Sequence, residues 1–415
     1  MSDYGLAFLL MLASFTVCMF AYPRVLGFAI RHRIVDNPNA RKLQRVPVPV
    51  MGGTAVFVGV LVATVVGYIC LRDTRVLWAL LLLFIMYLIG VWDDVKDVSP
   101  YFRFLVEILV VWTAVAVLQI QINDFHGFWG INKLPESISI PLSFIAGVGI
   151  INAVNLIDGV DGYCSYYGSW ACIAFAIIFY RAGDMAMFSL ALITLGALVP
   201  FFFHNVFGKT SKMFLGDGGS LLLGMVLTLF TFNTLSSNSP CARFAEEGLS
   251  LIALTLAILA VPVFDTLKVM SYRVLRGHSP FRADKSHLHH IFIEMEFSHL
   301  ATSFIIVTAN IFIGIMVVVV WQLGASIDLQ VYLVILLAFA FTACFYFYMR
   351  FHRRNRTVFF QRMCSYGRQT HLSLTPFWQF LAKVADSEFL AGKASVKKDR
   401  SASQQKNRPD PRILE

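Results

Sequence analysis

The chain has 415 residues, of which 57% are hydrophobic and only 14% are charged, and its net charge at pH 7 is +9. An ordinary soluble domain carries about 25% charged residues, so this composition excludes a disordered chain and argues against a soluble enzyme. Because only a bilayer solvates so much apolar surface, the composition predicts a polytopic, all-α membrane protein.

Apolar runs of about 20 residues predict eleven membrane-spanning helices. The runs lie at 5–22, 51–70, 76–91, 103–122, 139–155, 163–180, 187–203, 219–236, 248–270, 301–322 and 330–349. No basic residue precedes the first run, and Arg24, Arg31 and Arg33 follow it. We interpret this run as a membrane anchor with its N-terminus outside, since a cleavable signal has the opposite charge pattern.

Lys and Arg are concentrated in the loops on one side of these spans, including 23–50, 271–300 and the tail from 350. The positive-inside rule therefore predicts that this side is cytoplasmic. The asymmetry also explains most of the positive charge without a nucleic-acid partner. We predict a membrane domain at 1–350, a cytoplasmic interfacial segment at 351–392 and a disordered basic tail at 393–415.

Polar clusters lie at helix ends on the predicted cytoplasmic side, where charged residues beside an apolar bundle are usually functional. The first cluster follows the third span and contains Asp93 and Asp94. Adjacent carboxylates repel, so they need a shared proton, a cation or an arginine. The pair suits a general base or a metal–phosphate site, and the alternative is a solvated acidic turn. Arg103, at the start of the next helix, is a candidate phosphate contact.

The second cluster, NAVNLIDGVDG, ends the fifth span. Asn152, Asn155 and Asp158 recur every three residues, so we expect them on one helix face. Amide and carboxylate oxygens are ligands that Mg²⁺ prefers. The Asp-Gly steps at Asp158 and Asp161 allow turns close to a ligand. A helix C-cap followed by a turn is the structural alternative.

The third cluster, FLGDGGS, opens the eighth span and contains Asp217. A Gly-rich stretch before a helix leaves N–H groups and a positive helix end for a phosphate. Asp217 is either the N-cap of this helix or a ligand of a metal that bridges phosphate oxygens.

Two further loops are basic. The loop from 273 to 290 contains four His and four Lys or Arg residues, which predicts recognition of a phosphate or a sugar. A zinc site at its His-rich end is the alternative, although the His spacing is not a standard one. The loop before PVPVMGG contains Arg45 and either meets an anion at a helix start or is an ordinary positive-inside loop.

Together these motifs resemble the polyprenyl-phosphate N-acetylhexosamine-1-phosphate transferases, the glycosyltransferase 4-like membrane family. The matching stretches between 23 and 345 are PVPVMGG, GVWDDVKD, NAVNLIDGVDG, FLGDGGSLLLG, VPVFDTLKV and GHSPFRADKSHLHH. The last stretch resembles the branch that starts O-antigen, common-antigen and teichoic-acid linkage synthesis with UDP-GlcNAc. The resemblance implies transfer of a sugar 1-phosphate from a UDP-sugar to undecaprenyl phosphate, release of UMP, a requirement for Mg²⁺ or Mn²⁺, and a bacterial inner membrane as the location.

The resemblance also implies roles for individual residues. Asp217 is the expected principal metal ligand and Asn155 the second, while Asp93 and Asp94 are the expected catalytic carboxylates for the lipid phosphate. We favour direct attack by that phosphate over a covalent aspartyl intermediate. The expected substrate-binding residues are Arg45, Arg103, Asn152, Asn155, Asp158, Asp161, Arg276, Arg282, His287, His289 and His290.

Several alternatives stay open from the sequence. A secondary transporter would hold its polar groups near the midplane between two related halves, whereas here they crowd one side. A CDP-alcohol phosphotransferase would need Ala-Arg shortly after Asp161-Gly162, where this chain has none. Within the resembled family, GlcNAc is the expected donor sugar, with GalNAc and deoxy or diamino N-acetylhexosamines as alternatives. A homodimer is also left open.

Overall fold

The all-α prediction is confirmed by the computed structural model, which describes residues 3–37, 46–280, 285–373 and 375–387. The helices are α1 (Asp3–His32), α2 (Gly52–Leu71), α3 (Thr74–Lys96), α4 (Pro100–Leu118), α5 (Glu136–Leu156), α6 (Tyr163–Ala182), α7 (Met185–Phe207), α8 (Gly216–Thr234), α9 (Arg243–Glu246), α10 (Leu251–Ile258), α11 (Ala260–Val274), α12 (Leu288–Glu294), α13 (His299–Gln322), α14 (Ile327–Phe339), α15 (Phe345–Arg354) and α16 (Val358–Gln369). Two short strands, β1 (Val35–Asp36) and β2 (Val48–Pro49), pair antiparallel.

Eight helices of the described residues are long and apolar enough to cross a membrane, and a bent pair of helices adds a ninth candidate span. The chain is therefore a multi-pass membrane protein. The predicted count of eleven is not confirmed, because α6 and α8 form at two of the predicted positions but are not among these spans. In α8, every residue from 218 to 234 is buried. A helix surrounded by other helices does not need a lipid-compatible surface.

The helix predicted at 248–270 is broken into two, because α10 and α11 meet at an angle of 74°. Pro262 lies in the first turn of α11 and has no N–H group to bond the carbonyl of Ile258. Asn310 of α13 replaces the lost helical bonds. Its amide donates to the carbonyls of Ala257 and Ile258 at 3.0 and 2.9 Å, and its oxygen accepts from Val261 N–H at 2.9 Å. The bend is therefore stabilised by a partner from another span.

Glycine allows the ends of α3 and α8 to come unusually close. A Cβ atom on Gly90 would lie 2.4 Å from the carbonyl oxygen of Asp217, which is closer than any real side chain allows. The backbone of α3 therefore contacts the start of α8 directly. This contact brings the acidic end of α3 to the Gly-rich start of α8.

The chain beyond the last span is partly helical and packs on the bundle. The predicted boundary at 350 falls inside α15, which continues to Arg354. Residues 358–369 form α16, and residues 376–387 form one more helix. Residues 388–415, which include the predicted tail at 393–415, lie outside the described residues.

Candidate active site

Four helix ends converge on one cluster of polar side chains: the ends of α3 and α5 and the starts of α4 and α8. The carboxyl groups of Asp93 and Asp217 lie within hydrogen-bonding reach of each other. Arg103 binds Asp93, and Asn155 binds Asp217. The structure thus brings together residues from three separate sequence clusters that were predicted to share a site.

Arg103 links both sides of this cluster. Its Nη1 donates to Asp93 Oδ2 at 3.1 Å, and its Nε lies 3.4 Å from Glu107 Oε1. Its Nη2 donates to Asn152 Oδ1 at 3.4 Å, and Asn152 in turn donates to Glu107. The other oxygen of Asp93 accepts from Val98 N–H at 2.8 Å. One guanidinium therefore neutralises two carboxylates and orients an amide.

Asp94 caps the N-terminus of α8. Its Oδ1 accepts from the N–H of Asp217 at 2.8 Å, and its Oδ2 accepts from the N–H of Gly218 at 3.0 Å. The alternative that Asp217 is the N-cap is therefore wrong. The expectation of open N–H groups for a phosphate at this helix start is also wrong for these two groups, because a side chain from α3 already holds them.

Gly216 makes this cap sterically feasible. Its φ is +74°, in the left-handed region, and a Cβ atom there would lie 2.5 Å from Asp94 Oδ2. A side chain at 216 would therefore be strained and would collide with the cap. The glycine that precedes Asp217 is needed for this chain geometry and not only for backbone flexibility.

Asn155 orients Asp217 from the end of α5. Its Nδ2 donates to Asp217 Oδ1 at 2.6 Å and to Ser220 Oγ at 2.9 Å. Because α5 ends at Leu156, the shared helix face holds for Asn152 and Asn155, whereas Asp158 lies in the following turn. A metal bound by both Asn155 and Asp217 would require the amide to present its oxygen instead, which is a rotation of the amide group.

Asp158 is the least compensated carboxyl group of the cluster. No donor of the described residues hydrogen-bonds its carboxylate. Burial, followed by the negative charges of Asp217, Asp94 and Asp161, raises its pKa well above the ordinary value. Four carboxyl groups, those of Asp93, Asp94, Asp158 and Asp217, therefore share a small region, and Arg103 contacts one of them, Asp93, directly.

This donor chemistry fits a hard divalent cation. Within the described residues, no three Asp, Glu, His or Cys side chains form a ready-made metal cluster. Mg²⁺ does not need one, because it usually binds one or two protein carboxylates and takes its other ligands from water and substrate phosphates. Asp217 and Asn155 are the residues that would hold the ion, and a cation nearby would favour the ionised form of Asp158.

Asp161 belongs to the surrounding ion pairs and not to the carboxyl cluster. Its Oδ2 accepts from Lys212 Nζ at 2.6 Å and lies 2.7 Å from His299 Nδ1. Burial opposes ionisation, but these two partners outweigh it and lower the pKa of Asp161 below its ordinary value. Asp161 therefore joins the turn after α5 to the α7–α8 loop and to α13.

The His-rich segment is anchored by Asp265 of α11. This carboxylate accepts from Lys268 Nζ at 2.6 Å and from Leu288 N–H at 2.9 Å, and it lies 2.9 Å from His287 Nδ1. It therefore pairs with Lys268 and also holds the start of α12. The buried His287 is positioned by this contact.

His289 reaches the turn that carries Asp158. A Cβ atom on Gly159 would lie 2.8 Å from His289 Nε2, so the imidazole lies directly against this glycine. Burial, followed by the neighbouring His290 and His287, lowers the pKa of His289 well below the ordinary value, so its ring is neutral at pH 7. The half-buried His290 packs on it with ring centroids 4.3 Å apart. The His-rich segment and the Asp158 turn therefore form one surface.

The structure describes one of the three remaining basic contacts that were predicted. Arg45 and Arg282 lie outside the described residues. Arg276 is exposed and lies over the ring of Tyr272, in a cleft that none of the four clustered carboxyl residues lines.

Sequence reasoning missed the partners that position these side chains. Lys212, His299 and Ser220 each contact a predicted site residue. Ser220 is the last residue of the FLGDGGS motif, so its position beside Asp217 was a readable signal. His299 lies 138 residues from Asp161 along the chain, and no local pattern marks such a pairing.

Comparison with known proteins shows which proteins the chain is similar to. The family model described as glycosyl transferase family 4 matches residues 76–234. The match shows that this part of the chain, which is less than half of its length, is similar to glycosyl transferase family 4. The matched range contains the ends of α3, α4, α5 and α8, and therefore the whole carboxyl cluster, while the His-rich segment lies beyond it.

Three curated relatives extend the similarity past the family 4 range. A Bacillus subtilis protein named as a probable undecaprenyl-phosphate N-acetylglucosaminyl 1-phosphate transferase is 29% identical over 320 residues, covering 76% of this chain and 84% of that protein. The undecaprenyl-phosphate alpha-N-acetylglucosaminyl 1-phosphate transferase of Yersinia pestis is 27% identical, covering 68% of this chain and 74% of its own length. The decaprenyl-phosphate N-acetylglucosaminephosphotransferase of Mycolicibacterium smegmatis is 29% identical with the same two coverages.

Proposed function

We propose that this chain transfers N-acetylglucosamine 1-phosphate from UDP-GlcNAc to undecaprenyl phosphate and releases UMP, at the cytoplasmic face of a bacterial inner membrane. The observation that carries the proposal is the convergence of four carboxyl groups and Arg103 at the ends of membrane helices. The names of the three relatives support the same chemistry with a polyprenyl phosphate.

Charge explains why such a cluster suits this reaction. The acceptor phosphate and the donor diphosphate are both anionic, so they repel as they approach, and neutralisation dominates phosphoryl transfer. Asp217 and Asn155 would hold Mg²⁺, which would supply positive charge for the phosphate oxygens. Arg103 supplies a fixed positive charge in the same cluster. The acceptor's tail stays in lipid while its phosphate reaches the helix ends.

The reaction is a single displacement. An oxygen of the lipid phosphate bonds to the phosphorus that carries the sugar. The bond from this phosphorus to the bridging oxygen breaks, and that oxygen leaves as part of UMP. The acceptor phosphate is already nucleophilic as a dianion, so Asp93 only orients it and accepts any remaining proton.

The hydrogen bonds of Asp94 favour this direct route over a covalent aspartyl intermediate. Both of its oxygens accept backbone N–H bonds from α8, and a carboxylate held in this way is a poor nucleophile. Incubating the protein with UDP-GlcNAc, labelled with ³²P on the phosphate that carries the sugar, in the absence of lipid acceptor tests this point. We expect no label on the protein, and a stable phosphosugar adduct would support the two-step route instead.

The surface formed by the Asp158 turn and the His-rich segment is the proposed contact for the sugar of the donor. A neutral His289 donates or accepts hydrogen bonds without adding charge, which suits hydroxyl and acetamido groups of a sugar. GlcNAc is the proposed donor sugar because the relatives are named for it. Other N-acetylhexosamines are distinguished by the assay that follows.

The decisive experiment uses the purified full chain, Mg²⁺, undecaprenyl phosphate and a panel of UDP-sugars, with released UMP as the readout. We expect UMP with UDP-GlcNAc, no UMP without the lipid, and loss of the reaction after chelation of Mg²⁺. Asp217→Asn should lower turnover about a hundredfold or more. The control Asp97→Asn changes an exposed carboxyl four residues after Asp93, and it should retain turnover. UMP release that is independent of the lipid, or an active Asp217→Asn enzyme, would contradict the proposal.

A further inference from the structure

A second charged site lies away from the carboxyl cluster, in a cleft between the end of α11, α12 and α15. We call it the basic cleft and define it by Tyr272, Arg273, Arg276, Lys285, Arg350 and Arg353. Its volume is about 360 Å³. Five of these six side chains are cationic, and Glu294 is the one carboxylate among the lining residues of the described chain. The cleft therefore carries a strong positive charge.

Two of these cations are held together without a carboxylate. The guanidinium carbons of Arg276 and Arg350 lie 4.4 and 5.2 Å from the ring centre of Tyr272. Arg350 also donates to Tyr346 Oη at 3.0 Å. Neither guanidinium forms a salt bridge with a carboxylate of the described residues, because Glu294 pairs with Arg353 at 2.7 Å. Cation–π contacts hold both charges near one ring, and a bound anion would relieve their repulsion.

The position of the basic cleft indicates that the anion has an apolar part. Its walls come from the ends of two candidate spans, the broken span α10–α11 and the span Ile327–Arg354. Large apolar side chains beside the cationic ones are exposed: Leu275 is 85% exposed and Phe351 is 62% exposed. A soluble nucleotide does not need such a border, whereas a lipid with a charged head group does.

We propose that the basic cleft binds the phosphate head group of an anionic phospholipid, whose acyl chains lie along the exposed apolar faces of α11 and α15. The planar guanidinium groups of Arg276 and Arg350 suit the oxygens of a phosphate. Arg276 then serves a lipid instead of the sugar nucleotide that the sequence resemblance implied. This proposal does not depend on the transferase activity.

Lipid binding at this position has a consequence for the His-rich segment. α11 carries Asp265, which holds His287 and the N–H of Leu288. A head group that bridges α11 and α15 restrains the helix from which this segment is anchored. The phospholipid therefore stabilises the segment from outside the carboxyl cluster.

The test compares lipid retention and thermal unfolding of the purified full chain in nanodiscs of phosphatidylcholine, with and without phosphatidylglycerol. Native mass spectrometry reports retained phosphatidylglycerol. We expect Arg350→Gln to weaken retention about fivefold, the effect of one arginine on anionic-lipid affinity, and to reduce the stabilisation by phosphatidylglycerol. The control Arg354→Gln removes an exposed arginine from the same helix that does not line the cleft, and it should behave as the unmodified chain.

Arg276→Gln provides a second variant, because this residue is exposed and the change does not disturb α15. It should weaken phosphatidylglycerol retention by a similar factor. Equal retention by Arg350→Gln, Arg276→Gln and Arg354→Gln would overturn the proposal. So would Arg350-dependent stabilisation by UMP or inorganic phosphate in phosphatidylcholine alone, since this would assign the cleft to a soluble anion. These readouts need no turnover, so they remain valid if the proposed transferase reaction is absent.

Discussion

Asp94 accepts the backbone hydrogen bond of Asp217 at 2.8 Å, so one acidic residue fixes the chain position of the other. The contact joins the end of α3 to the start of α8, although the two residues are 123 positions apart. A carboxylate at a helix N-terminus also interacts favourably with the helix dipole. Asp94 is therefore a positioning residue for Asp217. The sequence had instead suggested that Asp94 acts on the lipid phosphate as a catalytic carboxylate.

Replacing Asp94 with Asn should lower both stability and turnover. The amide retains one acceptor, but its NH₂ group would face the N–H of Gly218, which leaves a donor opposite a donor. We expect a loss of about 1–3 kcal/mol in the free energy of unfolding, measured by thermal or denaturant unfolding in detergent. Asp97→Asn is the matched control, and equal stability of the two variants would argue against the capping role.

Arg103 should not tolerate replacement by lysine. An ammonium group keeps the charge but cannot bind Asp93, Glu107 and Asn152 in three directions at once. We expect Arg103→Lys to lower turnover about a hundredfold while the protein remains folded. UMP release and a melting curve, measured on the same preparation, separate these effects. Normal turnover in Arg103→Lys would show that charge alone suffices.

The Asp161 ion pairs predict a pH-dependent stability. A carboxylate whose pKa is lowered on folding stabilises the protein above its unfolded pKa, and this contribution is lost as the pH falls through the folded value. At neutral pH, Asp161→Asn should therefore destabilise the chain by roughly 2 kcal/mol. The difference in the free energy of unfolding between this variant and the unmodified chain should become smaller as the pH falls below the ordinary pKa of Asp, near 3.8.

Lys212→Gln tests the same contact from the other side. It removes the amine that lies 2.6 Å from Asp161 Oδ2. The double variant with Asp161→Asn should therefore lose less free energy of unfolding than the sum of the losses in the two single variants. Melting curves across the acidic range check both expectations. A stability gap that stays constant with pH, or full additivity of the two substitutions, would contradict the assigned pairing.

Asp386 should order the α7–α8 loop. Its Oδ1 accepts from the N–H groups of residues 209, 210 and 211 at 3.2, 3.1 and 2.9 Å, and from Ser211 Oγ at 2.9 Å. Asp386→Ala should lower the free energy of unfolding by about 1 kcal/mol, as loss of a helix cap does. It should also speed amide hydrogen exchange at 209–211. Ser387→Ala is the neighbouring control and should leave exchange there unchanged. Unaltered exchange in Asp386→Ala would show that the loop is ordered without this carboxylate.

Local patterns were sufficient to predict much of the site. The apolar runs located the helices, and the acidic and Gly-rich motifs placed Asp93, Asn155 and Asp217 at helix ends on one side. These ends do lie together, with Arg103 among them. The pattern was informative because helix termini must satisfy their polar groups within a few residues, so the relevant residue types concentrate there.

The remaining features depend on partners that are distant in sequence. The bend between α10 and α11 is stabilised by Asn310, 49 residues after Val261. The N-cap of α8 comes from Asp94 in α3. Nothing near Asp217 or Val261 specifies such a partner, because these contacts arise only once separate helices pack. For this reason the sequence reasoning predicted an unbroken span and an open helix start.

The docking of Asp386 has a consequence for how the protein matures. The amide groups of residues 209–211 are synthesised at least 175 positions before the carboxylate that binds them. The candidate spans among the described residues all precede that carboxylate, so they are synthesised before it. The loop that holds Lys212 against Asp161 therefore gains this set of bonds only after residue 386 has been synthesised, and a product terminated before that residue would lack them.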